Sequence, residues 1–355
     1  MNNVDLDDRS TYSRLDPDDM FRRVNDLPEQ VESAWQIANR LTLPDEYRSV
    51  RSVIITGMGG SAIGGSLLEA YSASSSAIPV QVWRNYGLPA YAGAETLVIA
   101  VSYSGGTEET LSALEEAHIR GAKLLVVTTG GRAGELAASW NVPVVEFQYD
   151  AQPRAALGYL FTPLLATFQE LGLVPDQTEN VHQALEIARQ CRAEWGAGQP
   201  EATNEAKRLA RLCYSKEIVI YGAGYLAPVA RRWKTQFNEN AKNWAFWEEF
   251  SELNHNAIVG YEFPSAIAKE VQVVTLKGRD LSSRIAKRME VTESLLREYE
   301  VSHYNVEARG TGILGQMISL IALGDYVSYY AALLNGADPT TIRPINILKE
   351  ALAAV

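Results

Sequence analysis

Two α/β domains in tandem, each a doubly wound parallel sheet, with further helices at the N-terminal and C-terminal ends, are the architecture this sequence predicts. Three observations carry that expectation. Short apolar, β-branched runs alternate with helix-length amphipathic stretches, the signature of repeated βα units. Glycine-rich turns follow several of the runs, as in Gly57-Met58-Gly59-Gly60-Ser61. The strand–Gly-x-Gly–helix pattern then begins again at Gly222-Ala223-Gly224, 165 residues after Gly57, which reads as a duplicated domain.

The elements follow in order. Residues 1–18 are polar and predict poor order at the start. Over 19–41 the apolar positions Met20, Val24, Leu27, Val31, Trp35 and Ile37 describe an amphipathic helix that includes Pro28. Strands are expected over 52–56, 80–83, 96–101, 123–128 and 142–147, and helices over 61–72, 107–120, 132–140 and 156–171. A polar stretch of helical pattern, 175–214, follows. The second set has strands at 217–221, 271–276 and, more weakly patterned, 303–306. Its helices are expected from Gly224 to about 240 and over 280–299 and 312–334. The domains so defined are an N-terminal segment with a helix (1–44), a first domain (45–175), a helical connector (176–214), a second domain (215–335) and a C-terminal segment with a helix (336–355).

Composition narrows the function. The 355 residues are 46% hydrophobic and carry a net charge of −11, which argues against a general affinity for nucleic acid or anionic membrane. No apolar stretch is expected to reach the roughly 18 residues of a membrane span. The start of the chain, Met1 to Asp8, is acidic and unlike a signal peptide. Cys191 and Cys213 are too few for a disulfide framework and read as small core residues. These features predict a soluble protein of the reducing cytoplasm. The four histidines, His118, His182, His255 and His303, show no metal-ligand spacing, so no metal is expected.

Two turns carry the chemistry. One is Gly57-Met58-Gly59-Gly60-Ser61-Ala62-Ile63-Gly64-Gly65; the other, 45 residues on, is Ser102-Tyr103-Ser104-Gly105-Gly106-Thr107. Glycines let backbone N–H groups approach a ligand, hydroxyls add donors, and the helix that follows presents its positive end. At the carboxyl ends of neighbouring strands the two turns would converge on one phosphate. Other readings fit less well. The first turn fits a dinucleotide pattern, Gly-x-Gly-x-x-Ala, but the stretch Val80 to Arg84 offers no ribose-binding acid. Neither turn ends in the Gly-Lys-Ser/Thr of a P-loop. Thr107, before Glu108, can be read as a helix cap alone.

These motifs resemble the sugar-isomerase (SIS) domain, a flavodoxin-like phosphosugar-binding module. Further motifs bring the chain close to the bifunctional phosphoglucose/phosphomannose isomerase family. They are Arg231-Arg232-Trp233-Lys234-Thr235-Gln236-Phe237-Asn238-Glu239-Asn240-Ala241-Lys242, Glu252-Leu253-Asn254-His255-Asn256, Gln152-Pro153-Arg154, and Asp338-Pro339 with Leu348-Lys349. The resemblance covers roughly residues 45–355. It implies two SIS domains, a homodimer, hexose 6-phosphate substrates and no cofactor. Residue by residue it implies that Gly59, Gly60, Ser61, Ser102, Ser104 and Thr107 hold the sugar phosphate. Glu239 would move the proton between C2 and C1, and His255 would open the ring from the neighbouring subunit. Arg154 would stabilise the enediolate, and Lys349 would assist near the ring oxygen or a C-terminal lid.

The residue types suit that chemistry. A positioned carboxylate removes the weakly acidic C–H proton, a fixed guanidinium meets the charge that develops on oxygen, and histidine titrates in the range that ring opening needs. Two positions depart from the family pattern: Gly106 stands where an asparagine is usual, and Ser66 where an aspartate often ends the first motif. Alternatives to the dual isomerase are an isomerase specialised for mannose 6-phosphate, a non-catalytic phosphosugar sensor, and an amino-sugar phosphate relative. The sensor would be favoured by a DNA-binding element, for which residues 1–45 are too short and acidic. The amino-sugar reading requires a glutamine-hydrolysing domain or a different base arrangement, and neither is visible.

Overall fold

A computed structural model describes residues 4–352. The chain divides into two compact units. One comprises Asp26–Arg189 with Gly310–Ile318; the other comprises Gln190–Arg309 with the described parts of the two terminal segments, 4–25 and 319–352.

The first unit holds five parallel strands: β1 (Ser52–Thr56), β2 (Val80–Trp83), β3 (Thr96–Ser102), β4 (Lys123–Thr128) and β5 (Val144–Glu146). Their order across the sheet is β2-β1-β3-β4-β5. The expected parallel sheet of five strands is therefore present, with β5 shorter than 142–147. All seven residues of β3 are buried, which is why this central strand reads as an uninterrupted apolar run. Neighbouring side chains of a strand face opposite ways. Ile54 joins a core with Ala113, Leu114, Ala133 and Leu136 from the helices Glu108–Ile119 and Gly131–Ser139. Ile55 faces the other side, where a Cβ on Gly65 of the helix Gly59–Ser72 would lie 2.8 Å from its Cγ2. That helix packs tightly on Leu157–Glu170: a Cβ on Gly64 would fall 2.4 Å from the Leu160 carbonyl oxygen.

The second unit holds β6 (Glu217–Ala223), β7 (Ala245–Phe250), β8 (Val271–Lys277) and β9 (Ser302–Glu307), also all parallel, in the order β7-β6-β8-β9. Tyr221, Phe250 and Val273 pack with Met289 and Leu296 of the helix Ser283–Glu298. On the other face Gly222 lets the helix Ala227–Glu239 approach, since a Cβ there would lie 2.9 Å from Ala230 Cβ. Strand β7 was not expected. It is an edge strand on which Phe246 is exposed and Glu248 and Glu249 interrupt the apolar pattern, so its period-two signal is inverted.

Three expectations need correction. Residues 19–41 do not form one helix: Met20–Asn25 ends, and Leu27–Ala38 begins with Pro28 in its first turn, where the missing N–H costs nothing. The 175–214 stretch is helical as expected, in two helices, Thr178–Trp195 and Glu205–Cys213. Residues 4–18 are ordered, with Asp8 capping the helix Arg9–Leu15 and Leu6 fully buried; Met1–Asn3 lie outside the described residues. Their order comes from distant partners, because Tyr12 packs against Phe21, Tyr329 and Tyr330. Finally, the helix Ile313–Leu334 is long and apolar enough to cross a membrane, with a mean hydropathy of 1.5 over its most apolar window, yet that window is wholly buried in the protein. Its polar residues, among them Asp325, break the run of apolar letters without lowering its average much.

Cys191 and Cys213 are buried core residues, as expected. Burial pushes the Cys191 thiol up to about 12 and the Cys213 thiol up as well. Since the thiolate is the reactive form, neither cysteine should react with a thiolate-trapping disulfide reagent at pH 8 while the chain is folded, and both should react in denaturant. Prompt labelling of the native protein would contradict this.

Candidate active site

The first unit assembles a polar cradle at the point where its strand order reverses. Strand β1 lies beside β3, with Thr56 in register with Ala100, while the chain between them visits the edge strand β2. The turns after β1 and β3 therefore emerge side by side, where open α/β sheets bind ligands. They are tied together: the Tyr103 N–H donates to Ser61 Oγ at 3.2 Å. The helix Gly59–Ser72 begins at Met58 without a side-chain cap. Gly59 holds φ at +51°, a left-handed conformation glycine adopts at no steric cost.

In the second turn, Ser102 Oγ donates to Thr107 Oγ1 at 3.1 Å, and Ser104 Oγ accepts the Gly106 N–H at 3.3 Å. Thr107 occupies the N-cap position of Glu108–Ile119 but makes no side-chain cap bond, so the reading of Thr107 as a cap alone does not hold. Ser102 is buried, Thr107 half-buried and Ser104 exposed. The two adjacent glycines differ in what they permit. A Cβ on Gly105, at φ +67°, would lie 1.9 Å from the Gly130 carbonyl oxygen, whereas a Cβ on Gly106 would meet only Ser104 Oγ at 3.9 Å. Gly105→Ala should therefore cost several kcal/mol, roughly 3 or more, in chemical denaturation, while Gly106→Asn should stay within about 1 kcal/mol of wild type. A stable Gly105→Ala protein would show that the turn is built differently.

Arg154 reaches this place through the backbone. A Cβ on Gly60 would lie 2.8 Å from the Pro153 carbonyl carbon and 2.9 Å from the Arg154 nitrogen, so only glycine lets the Pro153–Ala155 turn sit against the first motif. The Arg154 side chain is 2% exposed. Two residues that sequence reasoning passed over hold this turn. The Tyr103 hydroxyl donates to the Tyr149 carbonyl and accepts the Ala151 N–H at 3.0 Å. Gln30, buried on Leu27–Ala38, donates to the Ala155 carbonyl at 2.8 Å and accepts the Gly158 N–H at 3.1 Å. Tyr103 stands inside a singled-out motif, which was a usable signal; Gln30 gave none. Ser66, the second departure from the family pattern, accepts a hydrogen bond from Arg84. Glycine N–H groups and serine and threonine hydroxyls gathered in this way can hold a phosphate, and the Arg154 backbone lies against them.

The second unit presents no such cradle after β6. There Tyr225 fills the corresponding place: a Cβ on Gly278 would lie 2.0 Å from its hydroxyl. Burial pushes this phenol up to about 12, against the opposing effect of the Asp280 N–H. Glu239 is the last residue of Ala227–Glu239, at the negative end of the helix dipole, where Lys242 Nζ donates to its carbonyl oxygen at 2.8 Å. The helix is fixed by a buried polar seam. Arg232 and Gln236 bond to Asp325 at 2.7 and 2.8 Å, and Asn240 to Ser328 Oγ at 3.1 Å. Burial raises the Asp325 carboxyl and the Arg232 guanidinium opposes it. Glu239 leads through Asn243, which donates to the Lys216 carbonyl, to the amino end of the second sheet. His255 is exposed just beyond Phe250, the last residue of β7, at the carboxyl end of the same sheet. One strand length, roughly 20 Å, therefore separates them within the unit. Lys349 is exposed on the helix Arg343–Leu352. The structure thus gathers Gly59, Gly60, Ser61, Ser102, Ser104, Thr107 and Arg154 in one unit, and keeps Glu239 and His255 apart in the other.

Comparison with known proteins agrees with these features. The family model for the bacterial phospho-glucose isomerase C-terminal SIS domain matches residues 202–352, and that for the SIS domain matches residues 46–137. The chain is 42% identical over 337 residues to a bifunctional phosphoglucose/phosphomannose isomerase of Caldicellulosiruptor bescii, covering 95% of this chain and 99% of that one. A protein of the same name from Thermoplasma acidophilum is 36% identical, with 88% and 96% covered. Among solved structures, a hypothetical protein from Thermus thermophilus shares the fold, with a TM-score of 0.75 at 16% identity and 98% and 92% of the two chains covered.

Proposed function

This chain belongs to the bifunctional phosphoglucose/phosphomannose isomerase family, and from that premise we propose that it interconverts glucose 6-phosphate and mannose 6-phosphate with fructose 6-phosphate in the cytoplasm, as a homodimer. The observation that carries this reading is the cradle of Gly59, Gly60, Ser61, Ser102, Ser104 and Thr107 with Arg154 beside it. In this reading the domain over 45–175 binds the phosphate and the domain over 215–335 supplies the base.

The steps follow from the residue types. The phosphate dianion takes backbone N–H groups and hydroxyls. His255 donates to the ring oxygen and accepts the O1 proton as the ring opens. The Glu239 carboxylate removes the proton at C2 of the aldose and returns it to C1, while the hydroxyl proton passes from O2 to O1, giving the ketose. The guanidinium of Arg154 holds the enediolate oxygens, and Lys349 assists near the ring oxygen. Rotation about C2–C3 before reprotonation exchanges the two aldose epimers. The separation of Glu239 and His255 at opposite ends of one sheet supports a histidine supplied by the second subunit.

The test supplies fructose 6-phosphate with EDTA present and follows both aldose phosphates by NMR. Formation of both is expected. Mannose 6-phosphate alone would identify the specialised isomerase, and binding without turnover would replace the reading with a sensor.

A further inference from the structure

The second unit has a cavity of about 400 Å³ lined by Asn254, Ile258, Arg284, Lys287, Arg288 and Val291. We propose that this cavity binds a small, multiply phosphorylated metabolite at a site distinct from the substrate cradle. Three of its six lining residues are cationic and none is acidic, on a chain whose net charge is −11. Arg284, Lys287 and Arg288 lie on one face of the helix Ser283–Glu298, at i, i+3 and i+4. Like charges at that spacing repel, and cations in the first turns of a helix oppose its dipole. The helix carries no acidic residue in its first turn to relieve them. Lys287 has an exposed pairing with Glu290 at 2.7 Å, which is weak in water. An anion in the cavity would neutralise all three.

The walls are organised for such a guest. Asn254 Nδ2 donates to Thr292 Oγ1 at 2.9 Å, leaving Asn254 Oδ1 to face Arg288 Nη1 at 3.4 Å. The half-buried Arg288 is thereby oriented, and guanidinium forks suit phosphate oxygens. Ile258 and Val291 supply an apolar surface for the body of the ligand. The volume lies within the usual range for a small-molecule site. Asn254 precedes His255 in the chain, so occupancy would stiffen the segment that carries the proposed ring-opening group.

Pyrophosphate is the probe. It is titrated calorimetrically into the full-length Ser102→Ala/Thr107→Ala protein, in which the substrate cradle is weakened, and into the same protein with Arg284→Gln/Arg288→Gln added. One binding event per chain is expected in the first, weakened by more than about tenfold in the second, because two charge-assisted contacts are lost. Circular dichroism of both proteins reports their folding. In the otherwise wild-type chain, Arg284→Gln/Arg288→Gln should leave the turnover of fructose 6-phosphate unchanged. Absence of binding to the Ser102→Ala/Thr107→Ala protein, or binding indifferent to the arginine substitutions, overturns the site. So does a fall in kcat/KM on the arginine substitutions without a pyrophosphate event, which would assign the cations to substrate capture. A change in oligomer mass on those substitutions would assign them to a subunit contact instead, and equally overturns it.

Discussion

Glu239→Gln is expected to bind fructose 6-phosphate as the wild type does and to turn it over at least about a hundredfold more slowly. The amide is nearly isosteric but cannot take a proton from carbon at neutral pH. The cradle proposed to hold the phosphate belongs to the other compact unit and keeps its own hydroxyls and glycines in this variant. The stability readout separates chemistry from damage. A carboxylate at the carboxyl end of a helix opposes the dipole, typically by about 0.3–1 kcal/mol, so the dipole sets no penalty on its neutralisation, and the melting temperature is expected to stay close to that of the wild type. The seam from Arg232, Gln236 and Asn240 to Asp325 and Ser328 keeps the helix in place in either protein. A large loss of kcat with retained binding and undiminished stability is the signature of a base. Activity within about tenfold of wild type would remove Glu239 from that role.

How far this site could be read from the sequence depends on where each residue finds its partners. The hydroxyl turn Ser102–Thr107 was legible because glycines, hydroxyls and a preceding apolar strand are all local signals. Its convergence with Gly59–Ser61 followed from the rule that ligands sit where strand order reverses, and the β1–β3 adjacency satisfies that rule. Gln30 was illegible because its partners, Ala155 and Gly158, lie 125 and 128 residues away. Tyr12 similarly depends on Tyr329 and Tyr330, so a polar N-terminal stretch concealed an ordered helix. In the first sheet, strands buried on both faces announce themselves as apolar runs. Strand β7 did not, because an edge strand displaying Phe246 to solvent lacks that contrast. The first unit was consequently easier to read than the second.

Mixing Glu239→Gln and His255→Ala subunits should restore activity that neither variant has alone. The prediction turns on the second sheet. The helix Ala227–Glu239 runs back from the carboxyl end of β6, leaving Glu239 at the amino end, and β7 then carries the chain forward to His255. Two groups separated by roughly a strand length within one unit do not act together on one hexose. If each working site takes Glu239 from one chain and His255 from its twofold mate, a mixed dimer has one site with both substitutions and one with neither. Random reassortment makes about half of the dimers mixed, and the preparation should recover about a quarter of wild-type activity. Differently tagged subunits allow the mixed dimer to be isolated, where about half of wild-type activity is expected. An inactive, verified heterodimer would mean that His255 serves its own chain or none. The experiment is independent of the first prediction, because Glu239 could be the base in either arrangement, whereas only a shared site lets two inactive chains repair each other.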